Sequence, residues 1–258
     1  MVNVQNNGQA LSSALPNPPR PAFSAGVTVF CGSSSGHDRI YEDTAAALAR
    51  AIAGAGMTLV YGGGTKGLMG KVATSALEAG GYVHGITPSA FLHKEAPGRP
   101  SRLHPRQTET ICTSMHERKK LMAENCEAFV GLPGGYGTLE EVMEMTTWSQ
   151  IGVQKKPVVL LNVNDFYSPL KVFIEGAIER GFVSPTHRNF LIFVDDPSSS
   201  HLPSPASMSS MDNEEAVFDW GHAALKAIAE WKEAGSGGAI AFDFPWNVEG
   251  GGKKTDVA

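Results

Sequence analysis

At 258 residues, 42% hydrophobic and 18% charged, the chain is long enough for one large α/β domain and too apolar to be disordered throughout. A net charge of −5 offers no general basic surface for nucleic acid, although a local cation cluster can still hold a phosphorylated ligand. No apolar run approaches the roughly 20 residues that cross a bilayer. The first 26 residues lack the basic start and apolar stretch of a signal peptide. Cys31, Cys112 and Cys126 form neither a disulfide framework nor a CxxC pair, so the expectation is a reducing, cytoplasmic compartment with no membrane partner.

Residues 1–25, rich in Asn, Ser, Pro and Ala, read as a flexible leader. From Val27 short apolar runs alternate with helical patterns. Val27–Cys31 is followed by a helix near Tyr41–Ala53, Thr58–Tyr61 by one near Leu68–Ala79, and Tyr82–Ile86 by a loop. Thr108–Cys112 leads to Met115–Cys126, Ala128–Leu132 to Leu139–Ile151, and Val158–Leu161 to Pro169–Arg180; Phe190–Val194 closes the series. This alternation predicts βαβ units and a parallel sheet covered on both faces. Ser168 and Pro169 suit an N-cap and first helical position, and Gly181 suits a left-handed C-cap. Ser114–Glu117 and Thr138–Glu141 both have capping-box spacing. Pro197–Ser210 reads as a Ser/Pro-rich loop. An amphipathic helix over Glu214–Lys232, packing through Val217, Leu225 and Ile228, then completes a domain spanning 26–233, and 234–258 is a glycine-rich tail.

The strongest feature is Leu132-Pro133-Gly134-Gly135-Tyr136-Gly137-Thr138, between an apolar strand and a helix. Proline ends the strand, and the glycines let backbone N–H groups approach a ligand at the positive end of a helix dipole. That is an anion site suited to phosphate; the alternative is a tight turn with no ligand. Thr138 either caps the helix or gives its hydroxyl to the phosphate. Gly62-Gly63-Gly64-Thr65-Lys66-Gly67 matches G-x-G-x-x-G but follows the second strand and lacks an acidic residue about 20 positions on, so it supports no dinucleotide reading. Gly70-Lys71 fails the P-loop spacing. Ser33 and Ser34, in Cys31–Gly36, either contact ribose or phosphate or form a turn.

Glu141 has two readings that the sequence leaves level. It can close a capping box on Thr138, or its carboxylate can stabilise an oxocarbenium-like sugar and orient water for cleavage of a C–N glycosidic bond. Arg118 and Lys119 open the helix after the fourth strand, at the same sheet edge, and either grip phosphate or form a solvated basic face. His116 is an acid–base candidate or a structural donor. No HxxxH, HExxH or CxxC spacing supports a metal, and no cofactor is expected.

These residues resemble the LONELY GUY family of cytokinin riboside 5′-monophosphate phosphoribohydrolases, often mislabelled as lysine decarboxylases. The signature P-G-G-x-G-T-x-x-E stands as Pro133 through Glu141, and M-x-x-R-K as Met115 through Lys119. C-G-S-S-x-G stands as Cys31–Gly36, and Y-G-G-G-x-x-G-L-M-G as Tyr61–Gly70. The resemblance implies a single-domain, doubly wound Rossmann-like fold, a homodimer, and hydrolysis of an N6-substituted adenosine 5′-monophosphate to free base and ribose 5-phosphate. It implies Arg118 and Glu141 as the catalytic pair, with Arg118, Lys119, Gly134, Gly135, Tyr136, Gly137, Thr138, Leu139 and Glu140 around the nucleotide. Glu95 and Thr147 match substrate contacts less firmly. The alternative is a non-hydrolytic nucleotide or cofactor carrier on the same fold.

Overall fold

The computed structural model describes residues 26–92, 103–197 and 218–235. The predicted leader, nearly all of the Ser/Pro-rich stretch, most of the glycine-rich tail and Glu95 lie outside the described residues. Seven strands form one sheet: β1 Gly26–Phe30, β2 Thr58–Tyr61, β3 Tyr82–Pro88, β4 Gln107–Cys112, β5 Ala128–Gly131, β6 Val158–Leu161 and β7 Leu191–Val194. Their order is β4-β3-β2-β1-β5-β6-β7, and every neighbouring pair is parallel. β1, β2, β5 and β6 are buried at every residue, which is why they read as continuous apolar runs rather than alternating ones.

Helices cover both faces. α1 (Arg39–Gly54), α2 (Gly67–Glu78) and α6 (Trp220–Glu233) close one face through Leu48, Ile52, Val72, Trp220 and Ile228. α3 (Met115–Glu124) and α4 (Tyr136–Gln150) close the other through Met122, Val142 and Met145, with α5 (Ser168–Glu179) alongside. β1 therefore sends its chain to one face and its neighbour β5 sends its chain to the other. Loops that part in this way leave a crevice at the carboxyl ends of the two strands, where doubly wound sheets bind ligands.

Several boundaries differ from the sequence reading. α4 begins at Tyr136 rather than Leu139, with Gly135 at the cap position and no side-chain cap. Thr138 is thus the third helical residue, and the expected Thr138–Glu141 capping box does not form; glycine, having no Cβ, lets the chain enter the helix earlier than the polar signal suggests. α5 begins at Ser168 itself, because Asn162 Oδ1 takes the Tyr167 N–H at 2.6 Å and Ser168 Oγ turns to Asp165 Oδ1 at 3.0 Å. Phe190 falls in a short 3₁₀ turn before β7. α3 ends at Glu124, two residues short of Cys126. α6 starts at Trp220, where Asp219 accepts the His222 N–H at 2.9 Å; Val217 lies outside the described residues, while Leu225 and Ile228 do pack on the domain. The Gly181 expectation is met: its φ is +78° and its N–H donates to Ile178 O at 3.0 Å.

Where β5 meets α4, Gly131 has no room for a side chain. A Cβ there would lie 2.4 Å from Leu160 Cδ2 and 3.0 Å from Val142 Cγ2, so glycine sets how closely α4 seats on the sheet. Gly131→Ala is expected to lower Tm by about 2–12 °C, from roughly 1–3 kcal/mol of overpacking at about 2–4 °C per kcal/mol. A thermal melt that matches wild type would contradict this packing.

Candidate functional site

The loops after β1 and β5 and the first turn of α2 meet at the carboxyl edge of the sheet and are joined through their backbones. The Gly32 N–H donates to Pro133 O at 3.1 Å, and the Met69 N–H donates to Gly32 O at 3.3 Å. A Cβ on Gly134 would lie 2.1 Å from Thr138 Oγ1 and 2.9 Å from Gly32 N, so only glycine lets the loop after β5 touch both. Thr138 is buried with its hydroxyl turned back to this loop. A cavity of about 300 Å³ opens here, with Ser33, Ser34, Tyr41, Gly134, Gly135 and Phe166 among its walls. At Gly135 and Gly137 an added Cβ meets nothing within 4 Å among the described residues, and neither φ is positive. No protein atom described explains these two glycines. Ser33 and Ser34 are exposed, and Tyr136 is 94% exposed at the first position of α4.

On the α3–α4 side of the same edge, Arg118 and Glu141 are 7% and 8% exposed, and Arg118 Nη2 lies 3.7 Å from Glu141 Oε1. Nη2 also donates to Gly62 O at 3.4 Å, and Nη1 approaches Met115 Sδ at 3.9 Å. Arg118 Nε is buried with no hydrogen-bond partner among the described residues. Two charged side chains this far from water carry a large desolvation cost, so the pair is weak evidence for a stabilising role. Burial raises the Cys31 thiol far above its usual range, and the nearby Glu141 charge adds to the rise, which sets the Glu141 carboxylate close to the end of β1.

The turn that delivers Arg118 is a well-formed cap. Ser114 Oγ accepts the Glu117 N–H at 3.1 Å, as its spacing predicts. The Glu117 carboxylate reaches one residue further back than expected, taking the Thr113 N–H at 2.7 Å and its hydroxyl at 2.6 Å.

Lys119 is differently engaged from the expectation. Its ammonium pairs with Glu140 and, at 2.6 Å, with Glu144, so its charge and that of Glu140 are spent binding α3 to α4 rather than facing the glycine loop unpaired. Glu144 escaped the sequence reading; the signal was its i,i+4 spacing from Glu140, which stacks two carboxylates on one helix face. Thr147 is exposed, and its hydroxyl donates to Met143 O at 2.8 Å. Leu139 is half-buried against the core and His116 is exposed. The sequence reading also missed Tyr167, whose buried hydroxyl donates to Leu132 O at 2.7 Å and steadies the start of the glycine loop. Among the described residues no group of three His, Cys, Asp or Glu side chains could hold a metal ion. No described helix is long and apolar enough to cross a membrane.

Residues 69–201 match the model of a protein family described as possible lysine decarboxylase. A rice protein (Oryza sativa subsp. japonica) named as a probable cytokinin riboside 5′-monophosphate phosphoribohydrolase is 45% identical over 181 residues, 68% of this chain and 75% of that protein. An Arabidopsis thaliana protein named as a cytokinin riboside 5′-monophosphate phosphoribohydrolase is 46% identical over 177 residues, 68% of this chain and 74% of its own length. Among solved structures, a molybdenum cofactor binding protein from Rippkaea orientalis superimposes with a TM-score of 0.49 at 20% identity, over 68% of this chain and 93% of that one.

The Lys119 clamp carries a pH signature. Burial alone pushes its pKa down, and Glu140 and Glu144 more than reverse this, so the ammonium titrates above its ordinary 10.5. A folded-state pKa above the unfolded value means the clamp stabilises fully below about pH 10.5 and is lost as pH rises through the folded value. Lys119→Met should therefore lower Tm at pH 8 by roughly 1–4 °C, from about 0.5–1 kcal/mol for a partly exposed ion pair. The gap from wild type should narrow above pH 10.5; a gap that stays constant would contradict the clamp.

Proposed function

The chain belongs to the LONELY GUY family of cytokinin riboside 5′-monophosphate phosphoribohydrolases, and we propose that it hydrolyses the N-glycosidic bond of N6-substituted adenosine 5′-monophosphates to free base and ribose 5-phosphate. The observation that carries this reading is the buried Arg118–Glu141 pair beside a glycine loop whose open side has room for a phosphate.

The 5′-phosphate accepts N–H groups of the Gly134–Thr138 segment, where the first turn of α4 has unpaired donors and a positive dipole end. Gly135 and Gly137 are free of side chains on the side the phosphate approaches, and Ser33 and Ser34 border the same cavity. Holding the phosphate fixes the ribose, so binding energy from a remote group is spent at the reacting carbon. Arg118 offers its unpaired Nε–H to the sugar phosphate. Glu141 stabilises the positive charge that develops on the sugar and orients water toward C1′. The water oxygen bonds to C1′ and gives up a proton. The bonding electrons of the C1′–N9 bond leave with the purine, which takes up a proton.

Two other readings weigh less. A nucleotide carrier needs the glycine loop but has no use for a buried carboxylate–guanidinium pair beside it. A decarboxylase using pyridoxal phosphate needs an amine with a lowered pKa to form its Schiff base; Lys119, adjacent in sequence to Arg118, is held charged by two carboxylates.

The protein acts as a cytoplasmic homodimer. Its three cysteines are free and buried, which suits a reducing compartment. α5 fully buries only Ile178, while Val172 and Phe173 on its surface and Phe182 just beyond it are exposed. A second copy is the natural cover for such an apolar patch. Phe173→Asp with Val172→Asp should shift the sedimentation coefficient from dimer to monomer; wild type sedimenting as a monomer would sink the assembly.

Incubation with N6-isopentenyl-AMP, AMP and the unphosphorylated nucleoside, followed by chromatography of released base, tests the reaction. The monophosphate should be the preferred substrate by roughly 100-fold over the nucleoside. Glu141→Gln should reduce kcat by about 10²–10³-fold in the fraction that remains folded. Full activity of that variant would falsify the catalytic role.

A further inference from the structure

The glycine run that follows β2, Gly62 to Gly67, takes no part in the proposed chemistry, and its glycines have different causes. Gly63 has φ +78°, and a Cβ there would stand 1.9 Å from Thr87 Oγ1. Gly67 has φ +56° and rests on the Ser33 backbone, with the carbonyl carbon 2.4 Å from where a Cβ would be. Gly62 differs from both. Its φ is not positive, so its backbone conformation is open to any residue. Yet a Cβ on Gly62 would lie 1.9 Å from Nη2 and 3.2 Å from Cζ of Arg118. The Nη2 in question is the atom that donates to Gly62 O at 3.4 Å and faces Glu141 Oε1 at 3.7 Å.

We propose that Gly62 is a positioning residue for the reaction: the space left by its missing side chain is the seat of the Arg118 guanidinium, and any Cβ there drives Nη2 away from Glu141. The proposal rests on the reading that Arg118 and Glu141 act on a bound nucleotide. It also explains the G-x-G-x-x-G match without a dinucleotide. Those glycines make room for the protein's own groups: Arg118 at Gly62, Met69 at Gly64 and the Ser33 loop at Gly67.

Gly64 is the matched control. It is buried in the same loop with a φ that is not positive, but a Cβ on it would meet the tip of the flexible Met69 side chain, Cε at 2.5 Å, which can swing aside. The experiment compares base release from N6-isopentenyl-AMP, and Tm, for wild type, Gly62→Ala, Gly64→Ala, Arg118→Lys and Gly62→Ala/Arg118→Lys. Lysine lacks Nη2 and so removes the clash. Gly62→Ala should lose roughly 100-fold in kcat, the scale of a small misplacement of a reacting group, with a smaller change in KM. Gly64→Ala should stay within about threefold of wild type. The double variant should be no worse than Arg118→Lys alone, because both changes remove the same contact. Losses that multiply in the double variant, an unimpaired Gly62→Ala, or a Gly64→Ala as damaged as Gly62→Ala would each overturn the proposal. If Gly62→Ala is too unstable to assay, the Tm values decide: Arg118→Lys should restore the double variant to its own Tm, and failure to do so overturns the seat. Should wild type release no base from any nucleotide, the hydrolase reading fails, while the same Tm cycle still reports on the contact between Gly62 and Arg118.

Discussion

A guanidinium and a carboxylate, both nearly out of water and 3.7 Å apart, are the constraint around which this end of the molecule is organised. Arg118 comes from α3, whose strand β4 stands at the edge of the sheet, and Glu141 comes from α4, which follows β5 near its centre. Between β4 and β5 lie three other strands. The pair can meet only because α3 and α4 share one face and because Arg118 reaches inward to the end of β2, at Gly62, while Glu141 sits by the end of β1, at Cys31. Lys119, Glu140 and Glu144 repeat the link between the two helices nearer to solvent. The outer clamp is partly open to water, whereas the inner pair is nearly enclosed and carries a desolvation cost, which fits a site arranged for something other than folding.

The fold was largely legible in the sequence because its central strands are apolar without interruption and its helices carry a different period, so the order of elements followed from pattern alone. The glycine loop was legible as a strand-to-helix turn because Pro133 and three glycines stand between β5 and α4. What pattern could not supply was position across the chain. Thr138 and Glu141 fit a capping box on spacing, and only the earlier start of α4 at Tyr136 rules it out. The basic run at Arg118 to Lys120 looks uniform as letters, yet burial divides it: Arg118 is enclosed, Lys119 is claimed by α4, and Lys120 is exposed. Gly62 could not be understood before Arg118 was known to lie against it, since the two are 56 positions apart. Tyr167 and Leu132 likewise meet across a distance that no local signal spans.

The glycines of the two loops illustrate opposite physical reasons for the same residue. Around β2 they are filled by the protein: a guanidinium, a threonine hydroxyl, a methionine tip and a neighbouring backbone occupy the places where side chains would be. After β5, Gly134 is filled in the same way by Thr138, while Gly135 and Gly137 face open space. Glycine in a motif is therefore not one signal. The atom that a Cβ would strike separates a seat for the protein's own groups from a surface left clear for a ligand.

The bonds from Gly32 to Pro133 and from Met69 to Gly32 run entirely between main-chain atoms. Such a floor keeps its shape whatever side chains stand on it, so substitution at Ser33, Ser34 or Tyr136 alters the surface above it without rebuilding the ledge beneath.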